Sequence, residues 1–105
     1  MYERGLEWLN NAMDIYKTLM FESAVDKARI AAGAIAGHHL AIAVACFNQT
    51  YNRDYRRVED LRTMKQVPDG FLALYDQIIA AKTTDELQAL CHEIIACTRD
   101  FFQKK

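Results

Sequence analysis

The sequence predicts an all-α protein, an antiparallel bundle of four to five helices with a long buried central helix. Apolar residues recur at spacings of three and four along nearly the whole chain, while alternating strand patterns are scarce. The 105 residues include one proline and four glycines, so little interrupts those periods. The clearest break, Val67-Pro68-Asp69-Gly70, separates two amphipathic segments. Short connections between such segments imply antiparallel neighbours.

The first helix is expected from Tyr2 to Met20, where Leu6, Leu9, Met13, Tyr16 and Met20 form a stripe widened by Ala12, Ile15 and Leu19. Ser23 followed by Asp26 can restart a helix by N-capping, or the chain can continue with little break. The second helix is expected from Ser23 to Tyr51. It contains IAAGAIAGHHLAIAVACF, Ile30 to Phe47, a run with no formal charge when its histidines are neutral. A membrane span needs about 20 predominantly apolar residues. This run is rich in alanine and glycine, carries two histidines at mid-depth and has no companion segment, so it reads as a buried helix in a soluble protein. Gly33 and Gly37, one turn apart, predict a flat groove for close helix approach, extended by Ala34, Ala41 and Ala45.

Adjacent residues of an α-helix point about 100° apart, so His38 and His39 are not expected to share a chelating site. One should face the core and the other a groove edge. The third helix is expected from Asp54 to Lys65 and the fourth from Asp69 to Ala81. Thr83-Thr84-Asp85-Glu86 has the form of a capping box, with Thr83 as the cap and Glu86 reaching back. The last helix then carries Leu87, Leu90, Cys91, Ile94, Ile95, Thr98 and Phe102 on one face.

Residues 1–105 are read as a single domain. A composition of 51% hydrophobic and 26% charged residues is that of a globular chain. The net charge of −1 gives no general attraction to nucleic acid or anionic lipid, so neither nucleic acid nor a membrane is an expected partner. Cys46, Cys91 and Cys97 are odd in number and lie in apolar helical contexts, which suits reduced, buried thiols in a cytosolic protein. The N-terminus has charges of both signs and no apolar secretory core. The expected location is cytoplasmic.

Catalytic chemistry is poorly provided for. No G-x-S-x-G, Gly-rich phosphate loop or H-E-x-x-H is present, and His92-Glu93 lacks a second histidine. No catalytic residue, metal or cofactor is therefore assigned. Small helical nucleases of the HEPN class carry an arginine and a histidine about four to six residues apart on one helix. Here Arg29 and His38 are nine apart, so that motif is not matched. The most unusual polar stretch runs from Asn48 to Arg57 and includes Tyr51, Tyr55, Arg56 and Arg57. Arginine offers a planar fork for phosphate and tyrosine a stacking face, a combination suited to a nucleotide or phosphorylated small molecule. The alternative is a polar helix junction, with Arg56 and Arg57 paired to Glu59 and Asp60 on the surface.

The run from Gly37 to Phe102 resembles the helical C-terminal, substrate-binding region of bacterial nucleotidyltransferase-like proteins of the DNA polymerase β superfamily. An Ala-rich helix ends in a polar, aromatic N-x-x-Y stretch with basic residues beside it. A hydrophobic-Pro break, a short helix with a central tyrosine and a final amphipathic helix follow. Asn48, Tyr51, Tyr55 and Pro68 carry most of the likeness. The resemblance implies a helical domain that closes over a catalytic domain and helps hold substrate or nucleotide. It would put Asn48, Tyr51, Tyr55, Arg56 and Arg57 near that cleft, with His38 or His39 beneath it. The Gly-Ser motif and metal-binding aspartates of the family's catalytic chemistry are not in this chain. The resemblance thus implies an accessory domain whose partner is a nucleotidyltransferase catalytic domain in cis or in trans. The alternative is a structural module that forms a homodimer through Trp8, Met13, Met20 and Phe21 and holds no small-molecule ligand.

Overall fold

The computed structural model describes residues 2–51 and 56–104. All of its regular structure is helical: α1 (Tyr2–Leu19), α2 (Val25–Phe47), α3 (Arg57–Leu61), α4 (Phe71–Ala80) and α5 (Thr84–Gln103). Its extents are 37 × 22 × 22 Å and its radius of gyration is 12.7 Å. That radius is about what a folded chain of this length should have.

The long helix α2 organises the rest. α1 lies along its whole length, α5 packs on its first two thirds and, through Phe101 and Phe102, on Phe47 at its end, and α3 covers its C-terminal part. α4 docks on α5. The core runs between these elements through Leu9, Ala12, Leu40, Val44, Leu61, Leu87 and Ile94, all essentially excluded from solvent. Alanine and glycine let helices approach closely, and Gly5 shows how closely. A methyl group there would lie 2.9 Å from the ring of Phe102 and 3.1 Å from the Ala43 carbonyl.

Long-range hydrogen bonds tie off several helix ends. The last carbonyls of a helix lack intrahelical donors. Gln88 on α5 donates its side-chain amide to the carbonyls of Leu19, at 3.0 Å, and Met20 at the end of α1. Arg29 on α2 donates to Ile79 O and Ala81 O at the end of α4. Thr83 caps α5 as expected, accepting from the Glu86 amide at 3.1 Å. Glu86 reaches back to the Thr83 hydroxyl and to the Lys82 amide, rather than to the amide of Thr83 itself.

Five sequence expectations are revised. Ser23 is not a cap: α2 starts after Ala24, with no side-chain bond there, and the Glu22 carboxylate accepts from the Ser23 and Ala24 amides. The helix ends at Phe47, not Tyr51, and the third helix is shorter than expected, Arg57–Leu61. Gly33 makes no close helix contact, because nothing lies within 4 Å of where its Cβ would be; only Gly37 meets a neighbour, Tyr75 at 3.5 Å. The run is also not buried all round. Ile30 is 74% exposed.

Candidate functional site

The site begins where α2 ends. Asn48 follows the last helical residue and accounts for its side-chain amide almost completely. Its Nδ2 donates to Val44 O at 2.8 Å and to Gln66 O at 2.7 Å, and its Oδ1 accepts from the Gln66 amide at 3.0 Å. One bond closes the helix end, and the other two pin the 62–68 connection against it. The next residue, Gln49, turns the chain at φ 55°. The Gln49 amide donates to Cys46 O and the Thr50 amide to Ala45 O, each at 3.0 Å. This is a Schellman ending with glutamine where glycine is the usual residue.

The turn and the pinned connection form the two walls of an open cleft of about 630 Å³. Phe47, Asn48, Gln49, Thr50 and Tyr51 line one wall, and Asp60, Thr63, Met64, Lys65 and Gln66 the other. The polar wall groups are amides, hydroxyls, one ammonium and one carboxylate, and Phe47 and Met64 add apolar surface. Tyr51 is 84% exposed and offers its ring to solvent beside the opening. Arg56 is exposed and Arg57 half-buried at the start of α3, the helix that also supplies Asp60. Glu59 pairs with Arg62 at 3.5 Å, and Arg62 also reaches Asp76 at 3.8 Å. Tyr55 lies outside the described residues. Among the predicted site residues, Asn48 and Tyr51 thus share the cleft, while Arg56 and Arg57 stand at the start of the adjoining helix.

His38 and His39 lie elsewhere, in the middle of α2, and their geometry departs from expectation. Residues Ile35–Leu40 form a π-helical turn. A π turn bonds i to i+5 and is wider than an α turn, so successive side chains diverge less around the axis. The two imidazoles sit 4.9 Å apart, centroid to centroid, and both meet the Trp8 ring edge-on, at 5.6 Å and 5.2 Å. They share one environment after all, and both are half-buried. His39 Nδ1 is buried with no hydrogen-bond partner. Burial, with repulsion from His38, pushes the His39 pKa below the usual histidine value. That favours a neutral ring at pH 7.

No group of three or more histidine, cysteine, aspartate or glutamate side chains converges among the described residues. Burial raises the pKa of all three thiols and favours their protonated form. Cys91 is buried and its pKa is pushed up to about 12 by burial, and the Cys97 thiol donates to Asp69 O at 3.2 Å. Arg29, the arginine tested for a nuclease motif, is engaged at the end of α4.

Several features of the site escape sequence reading. Gln66, Lys65 and Thr63 join the cleft only because Asn48 clamps the connection that carries them. An asparagine after a long apolar helix is a usable signal for a C-terminal clamp, but its partner eighteen residues away is not. No family model matches the chain, and no curated protein or solved structure is detectably similar to it.

Proposed function

We propose that this chain is the accessory, non-catalytic domain of a nucleotidyltransferase-like protein. In this reading it is a cytoplasmic antiparallel bundle of four to five helices. Its cleft at the end of α2 holds a nucleotide or phosphorylated small molecule against a catalytic domain supplied in cis or in trans. The observation that carries the reading is the cleft. It opens on the polar, aromatic stretch that bears the family resemblance, and its walls present Gln49, Thr50 and Lys65 as donors beside the exposed Tyr51 ring. Arg56 and Arg57 adjoin it and supply forks for phosphate oxygens. Half of the apolar window in Val25–Phe47 is buried against other helices, which favours a core helix over a membrane span.

A thermal-shift screen against nucleotides with and without magnesium, and against phosphorylated small molecules, tests the reading. A ligand at a hundredfold its dissociation constant adds about 2.7 kcal/mol of stability. The expected result is a specific stabilisation lost in the Arg56→Ala, Arg57→Ala double variant. A stabilisation that survives the double variant removes the two arginines from the site, and none with any compound removes ligand binding by this chain alone.

A second reading, a homodimer without a small ligand, rests on the corner between α1 and α2. Phe21 is 91% exposed there, beside the exposed Met20 and Val25, although Trp8 and Met13 are partly buried and contribute less than expected. It predicts a concentration-dependent dimer in sedimentation velocity that Phe21→Glu dissociates. A monomer at all concentrations contradicts it.

A further inference from the structure

The geometry points to a second ligand site, in the groove between α1 and α5, that takes a small carboxylate bearing one compact apolar group. The groove shares no residue with the cleft at the end of α2 and does not depend on that cleft's function. Met13 from α1 and Ile95 and Ala96 from α5 line it with apolar surface. Lys17, Arg99 and His92 stand with Tyr16 around the same groove. Its volume is about 180 Å³. A cavity of about 150 Å³ accommodates benzene, so one aromatic ring or branched aliphatic group fits.

Charge selects the ligand's other end. Arg99 is exposed and makes no ion pair among the described residues. Lys17 meets Asp14 at 3.6 Å, but both side chains are more than 70% exposed, so the lysine is only weakly neutralised. The Tyr16 and His92 rings lie 6.0 Å apart across the groove. Burial, aided by Cys91, raises the Tyr16 pKa, which keeps its phenol a hydrogen-bond donor at neutral pH. A histidine ring has an N–H donor in either protonation state. Two cations and two donors around an apolar floor match a carboxylate with a hydrophobic tail. Inorganic phosphate lacks the apolar part, and a neutral hydrocarbon leaves the arginine unused.

Titration of the full ¹⁵N-labelled chain with sodium benzoate, followed by amide chemical shifts, tests the proposal. Saturable shifts centred on residues 13–17 and 92–99 are expected. Benzamide should bind about tenfold or more weakly, as should benzoate in the Arg99→Gln variant, because each loses a charge-assisted hydrogen bond. Ala96→Leu fills the groove and should abolish the shifts while circular dichroism reports an intact fold. Non-saturating shifts, shifts centred elsewhere, equal binding of benzamide, or benzoate binding unchanged in both variants would each overturn the site.

Discussion

The two halves of α2 share a high alanine content but differ in charge and in surroundings: Val25–Ala34 carries Asp26, Lys27 and Arg29, and Ala41–Phe47 carries no charge. In the N-terminal half, Val25–Ala34, only Ala28 and Ala32 are buried, Ile30 stands in solvent, and the space beside Gly33 is empty. In the C-terminal half, Ala41–Phe47, five of seven residues are buried between α1 and α3. The π turn that holds the histidines joins them. The charged residues mark part of the open face, but Ile30 lies in the uncharged run and is still exposed, so apolar composition says that a helix has neighbours and not on how many sides. The covered half ends in the clamp and the cleft, and the open half ends in nothing comparable.

The sharpest way to break this comparison is to truncate one large side chain in the open half and one at the end of the π turn, where the covered half begins. Leu40 is fully buried, so Leu40→Ala should cost about 2–5 kcal/mol in urea unfolding. Ile30→Ala should change stability by less than about 0.5 kcal/mol. Equal losses would mean that the open face is covered in solution.

The clamp comes next. Asn48→Ala removes three hydrogen bonds, two of them at solvent-exposed positions where water can replace the protein partner. A loss of about 1–2 kcal/mol is expected. The same variant should speed hydrogen exchange at Gln66, whose amide loses its acceptor.

Two glycines give opposite signs. Gly5→Ala must displace Phe102, which is itself boxed in by Tyr2, Phe47 and Phe101. Overpacking of about 1–3 kcal/mol should outweigh the gain of about 1 kcal/mol in helix propensity. Gly33→Ala meets no obstacle and should stabilise by up to about 1 kcal/mol, as a rise in melting temperature.

The smallest effect belongs to the joint between the halves. His39 binds its proton less readily folded than unfolded, where its pKa is near 6.5. Stability from this residue is thus full above that value and declines as pH falls through it, because the unfolded chain then takes up more protons. His39→Gln should flatten the pH dependence of the melting temperature between pH 7 and 5. An unchanged profile would assign that dependence to other groups.

Much of the fold was legible in the sequence, because helical periods and end signals are local. The stripe of the last helix, its Thr83 cap and the Pro68 break all fall where the pattern places them. The revised points depend on distant partners or on an unusual turn. A 100° rule separates His38 from His39, and only the π turn, invisible in the pattern, brings both onto Trp8. Gly5 reads as a mildly helix-weakening residue until Phe102 is known to lie against it. The cleft was half legible. Asn48 and Tyr51 stand out in sequence, but its second wall is contributed by a connection with no motif of its own.

The most direct test of the whole account is hydrogen exchange of the intact chain with and without saturating ATP and magnesium. The slowest amides should lie in residues 41–47, with faster exchange along the open face of residues 25–34. Nucleotide should add protection at residues 48–51 and 62–66. Uniform exchange along α2 would contradict the contrast between the halves, and nucleotide protection absent from residues 48–51 and 62–66 would contradict the function proposed for the cleft.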